Sequence, residues 1–285
     1  MIIDCHTHIF SDEVRNDRKT YCDRDEGFSS IYKDSRARMA GVEDLIASMD
    51  ASEVERSVIC GFPWSRTDLC FLHNQYLLEA ASRYPSRLIV FISLLFSEPD
   101  WSERELDRTI EAGAKGVGEI AFYDREMALH DIETMKPVLT RMERHGIPIL
   151  LHTNERIGHS YPGKGPTSPE RFYEFALTFP NLHIILAHWG GGLLFYELMP
   201  EVKKNMLNVY YDTAASPFLY SKRIYPIAKE IVGPERVLFG TDFPLLPPQR
   251  YFRELEESGL SKGDQEKILG LNFSRRFELN KNTSR

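Results

Sequence analysis

Cysteine is scarce in this chain, and long apolar runs are absent. The four cysteines among 285 residues form no C-x-x-C pair, and the chain is far longer than a disulfide-dependent miniature fold. No apolar run approaches the roughly 20 residues of a membrane span, and the first residues turn polar at Asp4, unlike those of a signal peptide. We therefore expect a cytoplasmic protein with free thiols and no membrane partner.

Positive charge is not in excess either. The chain has 35 lysines and arginines against 42 aspartates and glutamates, which gives a formal net charge of −7. A mildly acidic chain without a basic stripe is not typical of nucleic-acid-binding proteins. We expect a small-molecule substrate and no nucleic-acid partner, and leave open whether the chain forms a homo-oligomer.

Short apolar runs recur along the chain, separated by amphipathic helical patterns. Runs of this kind between turn signals are typical of strands that are buried on both faces of a parallel sheet. The eight predicted strands span residues 2–5, 57–61, 88–94, 115–120, 147–152, 182–187, 208–212 and 237–241. The predicted helices span residues 42–51, 69–84, 101–112, 131–145, 171–179 and 224–232.

Alternating strands and helices indicate either a doubly wound sheet or a closed barrel, and periodicity alone does not decide between them. Eight strands in 285 residues favour the barrel, which typically takes about 250 residues. We predict one distorted (β/α)₈ TIM-type barrel domain spanning residues 1–285. Residues 11–40 and 157–169 are predicted as the longest irregular stretches, on the side where a barrel keeps its active site.

The first predicted strand runs into Asp4, His6 and His8. Alternation along an extended chain places these three side chains on one face. Two imidazoles at this spacing can chelate one divalent ion, although an isolated pair is equally typical of surface histidines in a loop.

The same arrangement recurs at later strands, and this recurrence favours a metal site. His152, His188 and Asp242 each follow an apolar run at the end of a predicted strand. Barrel strands converge, so groups at their carboxyl ends face a common centre. Three histidines and one aspartate, His6, His8, His152 and Asp242, suit a divalent ion with an open position, and His188 is a further candidate ligand. We expect the metal to be zinc, as one or two ions.

Glu119 ends the fourth predicted strand, in the same layer as the other candidates. We predict it as a further metal ligand or active-site residue. The alternative is a structural ion pair with Lys115 or Arg125.

His159 lies in the loop that follows His152, together with Tyr161 and Lys164. We predict His159 as a substrate-binding residue that helps to hold an anionic group. An ordered polar lid is an equally good interpretation of this loop.

Four motifs lie in a fixed order along the chain: D-x-H-x-H at 4–8, His152, AHWGG at 187–191 and GTDFP at 240–244. In this order they resemble the amidohydrolase superfamily, and more narrowly the amidohydrolase-related group that includes aminocarboxymuconate-semialdehyde decarboxylase. The resemblance spans almost the whole chain, because residues 268–273 are similar to the short closing helix of these proteins.

The resemblance implies a distorted barrel with a mononuclear or binuclear site. It implies that His6, His8 and Asp242 bind the first ion and that His152 is a further ligand. His188 would bind a second ion or polarise the substrate.

The chain departs from the family at the fourth strand. The bridging lysine of several binuclear members is absent, and Glu119 stands in that region. This segment is similar to the metal-dependent deoxyribonuclease-like branch, where a glutamate is a ligand.

We predict a metal-dependent hydrolase that cleaves an ester, lactone or amide bond. Asp242 would serve as general base towards a metal-activated water, and His188 or a second ion would stabilise the oxyanion. The alternative is a metal-dependent non-oxidative decarboxylase of an aromatic or muconate-type acid, which Glu119 disfavours because a second acidic group repels a bound carboxylate. A deoxyribonuclease suits the negative net charge poorly, and a structural metal domain suits a His/Asp ligand set poorly.

Overall fold

The eight strands of the protein form one parallel sheet in which each strand pairs with the next along the chain. The computed structural model describes residues 1–277. The strands are β1 Ile3–Thr7, β2 Arg56–Cys60, β3 Leu88–Ile92, β4 Gly116–Ile120, β5 Ile149–Leu151, β6 Ile184–Leu186, β7 Val209–Asp212 and β8 Val237–Leu238. The predicted strands are all present, and β5, β6 and β8 are each three residues shorter than predicted.

Backbone hydrogen bonds join the first strand to the segment after the last strand. The amide of Cys5 donates to the carbonyl of Phe239 at 2.8 Å, and the amide of Asp242 donates to the carbonyl of His6 at 2.9 Å. A further bond of 2.8 Å runs from the amide of His8 to the carbonyl of Phe243. The sheet therefore closes into a (β/α)₈ barrel, which confirms the predicted fold.

Helices follow the strands and cover the outside of the barrel. The α-helices are α1 Asp12–Asn16, α2 Arg18–Arg24, α3 Glu26–Tyr32, α4 Val42–Ala51, α5 Thr67–Arg83, α6 Pro99–Glu111, α7 Leu129–His145, α8 Pro169–Thr178, α9 Pro200–Asn205, α10 Ser216–Leu219, α11 Ile224–Val232, α12 Pro248–Glu256, α13 Lys262–Glu266 and α14 Asn272–Phe277. Two 3₁₀ segments and one π turn complete them, at His188–Leu198, Pro234–Arg236 and Lys267–Leu271. Among residues 1–277, no helix has both the length and the apolar composition needed to cross a bilayer.

The prediction of an irregular stretch over residues 11–40 is wrong, because α1, α2 and α3 lie there. Each has five to seven residues, too few for a helical period to show in the sequence. Two side chains cap them: the Ser11 hydroxyl accepts from the amide of Val14, and the Asp25 carboxylate accepts from the amide of Phe28. We call residues 11–40 the aromatic insert, because Tyr21, Phe28 and Tyr32 are its buried aromatic residues.

Alternate side chains of the strands pack into two separate apolar layers. In β2, for example, Val58 and Cys60 belong to one buried cluster, while Ile59 belongs to the larger cluster beneath the helices. Phe273 and Phe277 of α14 join the first of these clusters. The short C-terminal helix therefore closes the barrel interior, as predicted.

Candidate metal centre

The predicted metal ligands all lie at the carboxyl ends of barrel strands. His6 is within β1 and His8 follows it, while Glu119 is within β4. The others come directly after strands or a few residues beyond them: His152 after β5, His188 after β6 and Asp242 after β8. This is the end at which a barrel carries its active site.

A bulge in β1 decides which residues face this centre. The pairing of β1 with β2 shifts by one residue between Asp4 and Thr7, which interrupts strict alternation. The prediction that Asp4 shares a face with the two histidines is wrong in this respect. Its carboxylate accepts hydrogen bonds from the amides of His6 and Thr241 and from the Thr241 hydroxyl, so Asp4 joins β1 to the segment after β8.

His6, His8 and Glu119 form the first group of candidate ligands. The Nε2 atoms of the two histidines lie 3.0 Å apart. The two carboxylate oxygens of Glu119 divide between the rings, with Oε1 at 3.6 Å from His6 Nε2 and Oε2 at 3.5 Å from His8 Nε2. All three residues are buried.

Glu119, His152 and His188 form the second group. Glu119 Oε1 lies 3.0 Å from Nδ1 of His152 and 3.7 Å from Nε2 of His188. The two ring nitrogens are 3.3 Å apart. Glu119 therefore belongs to both groups and links the ligands of β1 to those that follow β5 and β6.

Hydrogen bonds on the far side of three rings determine which nitrogen faces the centre. His6 donates from Nδ1 to the Asp212 carboxylate at 2.8 Å, and His188 donates from Nδ1 to the carbonyl of Ala214 at 3.0 Å. His152 donates from Nε2 to the carbonyl of Gly163 at 2.9 Å. A carbonyl or a carboxylate can only accept, so in the neutral form of each ring, the form that binds a metal, the opposite nitrogen presents a lone pair to the centre.

This arrangement fits a divalent metal ion. Two lone-pair nitrogens about 3 Å apart have the separation expected for neighbouring ligands of one ion with metal–nitrogen bonds of about 2.0–2.1 Å. The outer hydrogen bonds to carboxylate and carbonyl oxygens are those that orient histidine ligands in metal proteins. Imidazole and carboxylate donors together accept several divalent ions.

Electrostatics hold Glu119 in its charged form. Burial alone would raise its pKa, but His6 and His152 outweigh burial and hold the pKa well below its ordinary value. Burial alone would lower the pKa of His6, whereas the carboxylates of Glu119 and Asp212 raise it well above its ordinary value. The centre is thus a compact array of negative carboxylates and imidazoles, which a cation stabilises.

The alternative of a structural ion pair for Glu119 is wrong. Arg125 instead pairs with Asp131 at 2.6 Å, and Lys115 is exposed whereas Glu119 is buried. The contacts of Glu119 are the imidazoles described above.

Asp242 lies at the open side of the centre. Its Oδ1 is 3.5 Å from Nε2 of His8 and 3.8 Å from Nε2 of His6. The Asp242 side chain is 23% exposed, against 4% for Glu119. Of the two carboxylates, Asp242 is therefore the one that solvent and a substrate reach.

His159 lies away from this centre. Its side chain is exposed, its ring neighbour is Tyr161 at 5.7 Å, and its carbonyl accepts from Lys164 Nζ at 3.1 Å. Within residues 1–277 no contact joins His159 to the candidate ligands, and its role in substrate binding stays a prediction.

Asp212 is a residue that the sequence analysis missed. It ends β7, is fully buried, and accepts hydrogen bonds from the His6 ring and from the amides of His188 and Ala214. It thus holds two candidate ligands from different strands. Its position at the end of a predicted strand was the available signal, the same one that pointed to the other strand-end residues.

The family model of the amidohydrolases matches residues 3–277. The chain belongs to the amidohydrolase family. It is an enzyme of this superfamily, and its site takes a divalent metal ion. Among curated proteins, the γ-resorcylate decarboxylase of Rhizobium sp. (strain MTP-10005) is 25% identical, and the alignment covers 84% of each chain.

Solved structures resemble this amidohydrolase over nearly their full length. A 5-carboxyvanillate decarboxylase from Novosphingobium aromaticivorans has a TM-score of 0.80 at 19% identity and covers 98% of this chain and 97% of its own. A dihydroxybenzoic acid decarboxylase from Polaromonas sp. JS666 has a TM-score of 0.75 at 18% identity and covers 99% and 98%. Both structures hold manganese with a nitrophenol ligand.

These comparisons overturn two predictions. The hydrolase prediction is wrong, because the relatives and structural neighbours are decarboxylases, and they favour the stated alternative. The prediction of zinc is also wrong by comparison with these neighbours, because both solved structures hold manganese. The physical reason is that a His/carboxylate site binds several divalent ions and does not by itself select zinc or a hydrolytic reaction.

Proposed function

We propose that this amidohydrolase is a metal-dependent, non-oxidative decarboxylase of a small aromatic acid. The observation that carries the proposal is the match to γ-resorcylate decarboxylase over 84% of each chain, which includes most of the barrel. The candidate metal centre at the mouth of that barrel supplies the chemistry that such a reaction needs.

Two groups of residues would hold the metal. The first is His6, His8 and Glu119, with Asp242 beside them, and the second is Glu119, His152 and His188. Because the two groups share Glu119, the chain offers ligands for one or two ions, of which Mn²⁺ is the first to test. A divalent ion held there would supply the positive charge beside which a substrate carboxylate could bind.

Asp242 is the candidate proton donor. In the reaction the bond between the ring carbon and the carboxyl carbon breaks, CO₂ leaves, and its bonding electron pair stays on the ring carbon. That carbon takes a proton from the Asp242 carboxyl group. The partial exposure of Asp242 lets solvent return the proton after each turnover.

His188 has a fixed orientation in this scheme. Its Nδ1–H donates to the Ala214 carbonyl, and its backbone amide donates to Asp212. Nε2 therefore stays directed towards Glu119 and His152, where it contributes to holding the metal or the polarised substrate.

The proposal is tested with Mn²⁺-loaded protein and a panel of aromatic acids that includes 2,6-dihydroxybenzoate and 5-carboxyvanillate. We expect CO₂ release with one equivalent of the decarboxylated arene. Deuterium from D₂O should appear at the carbon that carried the carboxylate. Ester or lactone hydrolysis without CO₂ release from any aromatic acid would overturn the proposal.

A further inference from the structure

Two tyrosine hydroxyls beside the metal centre have no hydrogen-bond partner within residues 1–277. Tyr32 ends α3 in the aromatic insert, and Tyr123 follows β4, close to Glu119. Tyr32 is buried as a residue and Tyr123 is half-buried, yet both hydroxyl oxygens keep some accessible surface. A hydroxyl that reaches open space and has no protein partner is free to pair with a ligand or an ordered water.

Both rings lie beside the candidate ligands: Tyr123 meets the His152 ring at 5.3 Å, and Tyr32 packs at 5.2 Å against Phe10, two residues after His8. A phenol is protonated at neutral pH, so both hydroxyls are available as hydrogen-bond donors.

Aromatic packing holds both rings in place. Tyr32 packs against Phe10 and Phe28, with ring centroids 5.2 and 4.8 Å away. Tyr123 stacks on Phe62 at 6.3 Å and meets the edge of the His152 ring at 5.3 Å. Binding a ligand therefore costs these hydroxyls little conformational entropy.

We propose that Tyr32 and Tyr123 determine substrate specificity by donating hydrogen bonds to oxygen substituents on the substrate ring. The assignment rests on the proposed function, in which an aromatic acid lies at this centre. A substrate ring that carries oxygen substituents accepts a hydrogen bond from each tyrosine hydroxyl. An unsubstituted ring displaces water from the tyrosine hydroxyls and leaves them without a hydrogen-bond partner. A site built to hydrogen-bond a substrate discriminates strongly against an analogue that lacks the partner group.

The test compares 2-nitroresorcinol with nitrobenzene, which lacks the two hydroxyl groups. Neither compound can lose CO₂, so affinity is measured by calorimetry independently of turnover. The Mn²⁺-loaded wild type should bind 2-nitroresorcinol at least about 10-fold more tightly than nitrobenzene. Tyr32→Phe and Tyr123→Phe should each weaken 2-nitroresorcinol binding by about 3- to 10-fold and leave nitrobenzene binding unchanged.

Tyr84→Phe is the matched control, because the Tyr84 hydroxyl bonds to Glu43 on the outer surface. It should leave the affinity for both compounds unchanged, and all variants should keep the wild-type metal content. If one site variant does not fold, the other decides the assignment alone.

Three results would overturn the assignment: no binding of 2-nitroresorcinol to the wild type, an equal loss for both compounds, or a preference retained in the Tyr32→Phe/Tyr123→Phe double variant. The variants could lose the preference for 2-nitroresorcinol over nitrobenzene while the wild type releases no CO₂ from any aromatic acid. That pair of results would refute the proposed function and support the tyrosine assignment.

Discussion

Glu119 Oε1 lies 3.0 Å from Nδ1 of His152, although the two residues come from different strands. The other oxygen of the same carboxylate lies 3.5 Å from Nε2 of His8. One buried carboxylate therefore joins two groups of candidate ligands, and we expect the metal content of the protein to depend on it.

Glu119→Gln should lower the number of metal ions per chain. The substitution keeps the size of the side chain but removes the charge that both ligand groups share. Elemental analysis after dialysis against a weak chelator measures the loss. The exposed Glu126→Gln is the matched control, and equal metal content in the two variants would contradict a ligand role for Glu119.

Asp212→Asn should weaken metal binding without removing a ligand. Asp212 fixes the His6 ring through a 2.8 Å hydrogen bond, and loss of such an outer partner typically costs about 10- to 100-fold in metal affinity. Chelator competition gives the affinity. Asp4 is another buried carboxylate, but it makes no bond to an imidazole ring. Asp4→Asn should therefore retain the metal affinity even if it lowers stability. An equal loss of metal affinity in both variants would assign the effect to folding.

Asp242→Asn should reduce decarboxylation by at least about 10²-fold, since an amide has no carboxyl proton to transfer. The fold should survive, because Asp242 is partly exposed at the rim of the barrel. Initial rates of CO₂ release measure the effect, and thermal melts verify the fold. Wild-type rates of CO₂ release in Asp242→Asn would exclude Asp242 as the proton donor. The matched control is Asp124→Asn at an exposed position, which should keep the wild-type rate.

Arg236→Met should destabilise the protein by about 3–5 kcal/mol, because it leaves a buried carboxylate without its cation. Arg236 donates to Glu197, whose Oε1 also accepts from the Tyr211 hydroxyl at 2.6 Å. Urea unfolding measures the change in the free energy of unfolding. Lys222→Met breaks the exposed pair with Glu257 and should cost less than about 1 kcal/mol. Similar losses in the two variants would show that the buried pair contributes no more than a surface pair.

The barrel and its strand-end residues were predictable from the sequence. Buried parallel strands give short apolar runs, and a polar residue at the end of such a run stands out, as His152 and His188 do. Because the strands of a barrel converge, these positions also predict proximity. The chemistry was not predictable in the same way, since similar ligand sets serve both hydrolysis and decarboxylation.

The sequence by itself determined the number of strands, their order along the chain and the residue types that meet at the carboxyl ends. The tertiary structure decided which of those residues face one another. The bulge in β1 turned Asp4 away from the histidines, and packing between distant segments placed Asp212 against His6, 206 residues earlier in the chain. Tertiary packing also placed Tyr32, at the end of a helix too short to show a period, against Phe10, two residues after His8. Such contacts depend on side-chain volumes and hydrogen bonds between segments far apart in sequence, which no local pattern encodes.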